Sequence, residues 1–413
     1  MTPTLYIAYR FLGHRKRAFL LSLSVVVFGV AIFICSQAQT QGFAQHFINS
    51  TLGSNGSLVL RSRFQPLATG LPVPPKSSKP GEATHRRYLE GITNAREIMR
   101  VSRQFSNVAA CSPVLRGTLS ARSGFENATV DLFGIDATLH PQTTDLKTEF
   151  IAGKFDDFRD NATAVIVGSR LAESLNVTAG DSIQLLSPGG EYWRFTVAGI
   201  ARSGVGSVDA GRVYAHAKIA QTLLHKPFAA SMIIFKLRDP DRAPALAQHF
   251  ETLFQHEALS WQDREENNLR LFLSLRLSAA ITVSLIILLA GFGIFNVLTM
   301  SVLAKIKEIA ILRSMGYRQK DISAIFLWQG AFVAIAGSIL GCILGALLTW
   351  IVSRIPIRVR GLIFADHFLV AWDWRHYFWA ALLAMIAVLI ASYVPARRAA
   401  LLSPVTTLRG SSA

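Results

Sequence analysis

Four stretches of this 413-residue chain carry no acidic or basic side chain at all, and each is about as long as a bilayer is thick. A helix needs roughly 20 predominantly apolar residues to cross the hydrocarbon core. Phe19–Ala38, Leu277–Ala304, Ile322–Ser353 and Tyr377–Ala396 meet that length. In lipid every backbone polar group must be satisfied internally, so such stretches are helical. These runs also explain why charged residues make up only 16% of the chain, against roughly a quarter in an average globular domain. The long basic N-terminal region and near-full-length first run favour a retained span over a cleaved signal peptide.

A formal charge of +16 raises the question of nucleic acid. The segment Ser36–Arg276 contributes only about +4 of it, and the rest sits in short stretches beside the apolar runs. Topology-setting charges on membrane loops are placed in that way, whereas a groove following phosphates needs a basic face. Nucleic-acid binding is excluded as the main role. Arg10, Arg15, Lys16 and Arg17 precede the first run. Lys305, Lys307, Arg313, Arg318 and Lys320 separate the second from the third, and Arg397, Arg398 and Arg409 follow the fourth. Those three regions are expected in the cytoplasm. Arg354, Arg358, Arg360 and Arg375 between the third and fourth runs depart from the rule.

The expected organisation is therefore a cytoplasmic N-terminal segment (1–18), a first span (19–38), an extracytoplasmic domain (39–276), and a second span (277–304). A cytoplasmic loop (305–321), a third span (322–353), an outer loop (354–376), a fourth span (377–396) and a cytoplasmic tail (397–413) complete it. The fold class is an α-helical membrane protein with four transmembrane helices plus a mixed α/β extracytoplasmic domain. In that domain Ser57–Arg61, Ala128–Gly134, Thr163–Gly168, Ser182–Leu186, Tyr192–Gly199 and Ser231–Leu237 read as strands. Ser187-Pro188-Gly189-Gly190 reads as a hairpin turn. Arg170–Leu175, Ile219–Leu224 and Pro244–Gln255 read as helices. Gly204, Gly206 and Gly211 read as a turn, and Pro66–Pro80 as an irregular loop.

No motif announces catalysis. The chain has no G-x-x-x-x-G-K-[ST] phosphate loop and no H-E-x-x-H pair, and its three cysteines and ten histidines show no metal-ligand spacing. It is read as not an enzyme, with no catalytic residue and no metal ligand. Cys111, alone in the polar region, reads as a small core residue. Gly337, Gly341 and Gly345 recur every four residues and line one helix face, where missing side chains let a second helix approach. The loop Lys305-Ile306-Lys307-Glu308-Ile309-Ala310-Ile311-Leu312-Arg313-Ser314-Met315-Gly316-Tyr317 has the spacing of a short amphipathic helix stopped at Gly316. By periodicity alone a helix lying under the headgroups is the favoured reading.

That loop, with Asp321-Ile322, Ile325-Phe326 and Gln329-Gly330 after it, resembles the FtsX-like, MacB-type permeases, and within them the lipoprotein-releasing permeases LolC and LolE. Tyr393-Val394-Pro395-Ala396-Arg397-Arg398-Ala399, Pro404 and Leu408-Arg409-Gly410 agree, as do Ala8, Arg10 and Leu12. In the outer region Val165-Ile166-Val167-Gly168, Leu175, Val177, Gly180-Asp181 and Val197-Ala198-Gly199-Ile200 look like the MacB-like periplasmic core. The resemblance implies a permease subunit in the inner membrane that works as a dimer, with a second copy or a related permease. It implies a separate ABC ATPase that binds ATP and Mg, no cofactor being bound by this chain. Lys305, Lys307, Glu308, Ile309, Leu312, Arg313, Met315 and Gly316 would then form the ATPase-coupling helix. Lipoprotein or other amphiphilic cargo and membrane lipids would be its partners, with a periplasmic carrier or adaptor. Phe28, Phe33 and Leu285 are the candidate cargo contacts. The hairpin at Ser187–Glu191 is shorter than the proline-containing one with which LolC members engage their carrier. Efflux of small amphiphiles or peptides through a periplasmic adaptor, and FtsX-like control of a cell-wall hydrolase, are the alternatives.

Overall fold

The computed structural model describes residues 7–8, 16–62, 65–66, 88–89, 91–92, 94–226, 230–356 and 367–401. Most of the expected Pro66–Pro80 loop, the basic residues Arg10 and Arg15, Arg358, Arg360, Pro404 and Arg409 lie outside the described residues. The chain divides into two compact units, one built from 1–45, 270–357 and 366–413, the other from 46–269 with 358–365.

The first unit is helical. Its segments belong to α1 (Lys16–Asn55), α10 (Glu266–Ala304), α11 (Ile306–Ser314), α12 (Gln319–Ser353) and α13 (Trp374–Leu401). Four of these are long and apolar enough to cross a membrane. The helices α1 and α10 are longer than the apolar runs inside them. At 1.5 Å per residue, the 40 residues of α1 reach about 60 Å, twice the hydrocarbon thickness. The added part, from Gln39 to Asn55, is polar and free of charge, proline and long β-branched runs, so nothing interrupts the helix until Gly56 at φ +67°. Likewise α10 begins at Glu266 rather than Leu277.

Val26, Val30, Phe33 and Ile34 of α1, Val283, Ile287 and Ile294 of α10, Val333 of α12 and Ala380, Ala384 and Val388 of α13 form the bundle core. The glycine stripe lies within it. A methyl group at Gly337 would come 2.7 Å from Val26 Cγ1, one at Gly341 2.6 Å from Val30 Cβ, and one at Gly345 3.0 Å from Ile34 Cδ1. These glycines are what lets α1 and α12 approach so closely.

The second unit is mixed α/β. Its strands are β1 (Leu58–Arg61), β2 (Gln65–Pro66), β3 (Tyr88–Leu89), β4 (Val108–Ser123), β5 (Glu126–Ile135) and β6 (Phe150–Gly153). They continue with β7 (Ala164–Gly168), β8 (Ser182–Leu186), β9 (Tyr192–Ala201), β10 (Arg212–His216), β11 (Met232–Leu237) and β12 (Glu257–Ser260). The helices are α2 (Ala95–Ser102), α3 (His140–Thr143), α4 (Phe155–Asp160), α5 (Ser169–Leu175), α6 (Gly206–Gly211), α7 (Ala217–Leu223), α8 (Ala243–Phe254) and α9 (Trp261–Arg264). The main sheet runs β12-β1-β11-β4-β5-β10-β7-β9-β6. Because β8 pairs with both β4 and β9, six strands close into a ring around Leu132, Val165, Val167, Ile183, Val197 and Val213.

The organising strand is β4. Its first residues, Val108 and Cys111, belong to the core under α2 and α8, while Leu115, Leu119 and Ala121 belong to the ring core. Cys111 is buried there as a small core residue. The segment expected to turn at Gly204–Gly211 contains the short helix α6 instead. Gly204 supplies the turn (φ +82°), and burial of Val208 and Asp209 holds the helical turn after it.

Candidate functional site

Lys305 breaks α10 from α11. Its ammonium, itself nearly buried, donates to Glu308 Oε2 at 2.8 Å one helical turn on. The far end of α11 stops in a Schellman motif. Gly316 takes φ +97°, its N–H donates to Arg313 O at 3.2 Å, and Tyr317 N–H donates to Leu312 O at 3.2 Å. Leu312 and Tyr317, at the two ends of this motif, both pack against the same apolar cluster. The next helix then opens with the Asp321 carboxylate accepting from Arg318 N–H at 2.9 Å.

The buried face of α11 is seated on the membrane bundle. Ile309 lies among Val302, Ile322, Ile325, Phe326, Ala396 and Ala399, with Leu312 half-buried beside them. Arg313 Nη1 donates to Ala400 O at 3.1 Å, which caps the last turn of α13 with a cation. The opposite face is open. Ile311 is 52% and Met315 72% exposed, flanked by exposed Lys307, Glu308 and Ser314. An apolar pair inside a polar rim is the arrangement of a protein-docking surface.

The eight residues picked from sequence thus divide. Lys307, Glu308, Met315 and Gly316 are exposed, whereas Ile309, Leu312 and Arg313 hold α11 on its seat and Lys305 is buried at its start. Ile311 was missed. The signal for it is its position off the stripe Ile306–Ile309–Leu312, an apolar residue on the polar side. Two candidate cargo contacts, Phe28 and Leu285, are more than half exposed, but Phe33 is not. It faces the bundle core with Val283 and Ile287, because α1 turns that side toward α10. Nearby on α10, Leu288, Phe292 and Phe295 join Ile390 and Val394 of α13 around an apolar groove of about 380 Å³ with Gly291 in its lining.

In the outer unit the loop Ser187–Glu191 joins β8 to β9 in the register Leu186↔Tyr192. It is pinned by Ser187, whose Oγ donates to Leu223 O at 2.8 Å and accepts from Gly189 N–H at 3.2 Å.

Four membrane helices, a short helix between the second and third with one open face, and a large outer α/β domain define a permease subunit of the ABC-transporter type. Residues 19–253 match the MacB-like periplasmic core domain and residues 280–404 the FtsX-like permease C-terminal region. The first match spans more than half of the chain, which belongs to the family of permeases with a MacB-like periplasmic core. It is a membrane protein with a periplasmic domain. It is 27% identical over 345 residues to the lipoprotein-releasing system transmembrane protein LolC of Neisseria meningitidis, covering 78% of this chain and 83% of that one. It is 24% identical over 330 residues to the corresponding LolE of Haemophilus influenzae, covering 74% and 78%. The macrolide export ATP-binding/permease protein MacB of Pasteurella multocida is 31% identical over 136 residues, 33% of this chain and 19% of that one.

Proposed function

We propose that this chain is the inner-membrane permease of an exporter that releases lipoproteins, or other lipid-anchored cargo, from the membrane. Its ATPase is a separate subunit that binds ATP and Mg and docks on the open face of α11. The observation that carries the docking role is the exposed pair Ile311 and Met315, held outward by the buried seat of Ile309 and the Arg313–Ala400 bond. A helix merely lying under headgroups needs no such two-sided anchoring. The cargo reading rests on the similarity to LolC and LolE over most of the chain. Exposed apolar residues, among them Phe28, Leu285 and Leu288, offer surface to acyl chains, each buried methylene being worth about 0.8 kcal/mol.

A second reading, efflux through a periplasmic adaptor, is favoured by the five-residue loop Ser187–Glu191, too short to reach far toward a carrier. One experiment separates them. The protein is purified in detergent with its partners, carrying photo-crosslinkers at Phe28 and Leu285 in turn. Acylated protein captured at these positions supports lipoprotein release; co-purification of a soluble adaptor with no acylated protein captured supports efflux. In the same preparation Ile311→Glu is expected to lose the ATPase subunit while the protein stays folded. Retention of the ATPase at the wild-type level removes α11 as its docking site.

A further inference from the structure

The link between α12 and α13 is tied down at both feet. Pro356 pairs with His367, and Phe368 N–H donates to Ile355 O at 3.2 Å. The same end is stapled to α1: Ala371 N–H donates to Ala38 O at 2.9 Å, and His376 Nε2 lies 2.6 Å from Gln41 Oε1. Gly42 is required there, since a methyl group would lie 2.6 Å from Val370 Cα.

On this rigid end five aromatic rings point away from the protein. Trp350, Trp372, Trp374, Phe378 and Trp379 are all half-exposed or more. The helices are antiparallel, with Gly330 against Ser392 at one point and Pro356 beside His367 at another. That register puts Trp350 level with Trp372, and Arg354 about one turn away. The Arg354 guanidinium sits 5.6 Å from the Trp350 ring centroid, and Arg375 is exposed beside Trp374. Among the described residues of this end Asp373 is the acid, and it is engaged by Arg375 N–H at 3.0 Å and by Gln41 Nε2 at 3.5 Å. Short loops on the outer side normally avoid Lys and Arg. Here the segment 354–376 has four arginines against two aspartates.

We propose that this end of the α12–α13 pair is a docking surface for anionic phospholipid headgroups. Arg354 and Arg375 receive the phosphate, for which the planar guanidinium fork is suited. Trp350, Trp372 and Trp374 occupy the headgroup level, and Phe378 and Trp379 meet the upper acyl chain. Charge complementarity selects this occupant, since an uncharged protein surface would leave the arginines without counter-charges. The inference goes beyond the transport reading and is independent of cargo.

The full chain, with Trp328→Phe so that the remaining bundle tryptophans all lie in the patch, is placed in nanodiscs of phosphatidylcholine. Either brominated phosphatidylglycerol or brominated phosphatidylcholine is added at equal mole fraction, and tryptophan quenching is read. The Trp193 and Trp261 signal is subtracted using a variant whose patch tryptophans are phenylalanine. Phosphatidylglycerol should quench more strongly, and Arg354→Gln with Arg375→Gln should lower that preference about fivefold per arginine. The corresponding pair of lysines should keep most of it. Equal quenching by the two lipids in the parent protein, or an undiminished preference in the glutamine pair, overturns the proposal.

Discussion

Glu149 sits in an environment that disfavours a carboxylate. Burial raises its pKa from the usual 4.5 to about 7, Asp209 and Asp145 add to the rise, and Arg212 opposes it. Arg212 is already committed, to Asn55 Oδ1 at 2.8 Å, Ser54 O at 3.3 Å and the Phe133 ring at 4.0 Å. Asp209 is itself held by Ser203, which donates from N–H and Oγ at 2.8 Å each. A carboxyl with a raised folded-state pKa stabilises below its unfolded value and loses that contribution as pH rises through the folded one. For Glu149 the window runs from pH 4.5 to 7, and the shift corresponds to about 3 kcal/mol at most. His140 works in the opposite direction: burial drops its pKa to about 3, so stability is lost as pH falls below 6.5. The two slopes overlap and partly cancel in the wild type. Glu149→Gln isolates one of them, because its stability relative to wild type should grow from pH 5 to pH 8, approaching about 3 kcal/mol. Thermal midpoints of both proteins across that range measure it. A gap that does not change with pH means that Glu149 is ionised in the folded protein throughout.

At the scale of elements, the glycine stripe makes a definite stability claim. Gly337→Ala forces a methyl group against Val26 Cγ1, and overpacking of this kind costs about 1–3 kcal/mol. Val26→Ala removes that atom, so the double variant should be more stable than the two separate losses predict, by about 1 kcal/mol. Strict additivity in detergent melting would mean that the seam relaxes, and that the stripe's constraint lies elsewhere. The stripe was legible in sequence because a period of four needs no partner to be seen; its partner, α1, was not. The strands Ala128–Gly134, Ser182–Leu186 and Tyr192–Gly199 were legible through alternation and the glycine turn between the last two. The longest strand, β4, was not. Pro113 and Gly117 interrupt its pattern, and Gly117 is explained only by tertiary packing. Gly117 makes room for Leu224, whose Cδ2 would lie 2.4 Å from a methyl group there. The inner and outer residues of β4 also change partners midway, since it serves two cores. In α11 the amphipathic spacing reveals the helix but does not divide its faces. Of the coupling residues it suggests, Ile309 and Leu312 form the seat and Met315 is open, a division that only the packing shows.

For the whole molecule the decisive property is which side each unit faces. Lys and Arg on short loops set orientation, and the 305–321 loop carries five of them. The outer loop weakens that argument with its own four arginines, so the assignment of α11 to the cytoplasm calls for a direct measurement. The structure supplies two labelling sites that disturb nothing. Phe125, at the turn between β4 and β5, is 99% exposed next to Gly124 at φ +57°, and Ser314 is exposed at the end of α11. Cys35, Cys111 and Cys342 are unpaired and first have to be removed. Cys111 is best replaced by Ala or Ser, since it packs in a small space beneath α2. In this background a cysteine at Phe125 should react with a membrane-impermeant maleimide added from outside this membrane, while one at Ser314 should react only after the membrane is lysed. The reverse pattern would put the α/β domain inside the cell and the open face of α11 outside, where no ATPase has access to ATP, and the coupling reading would fall with the topology.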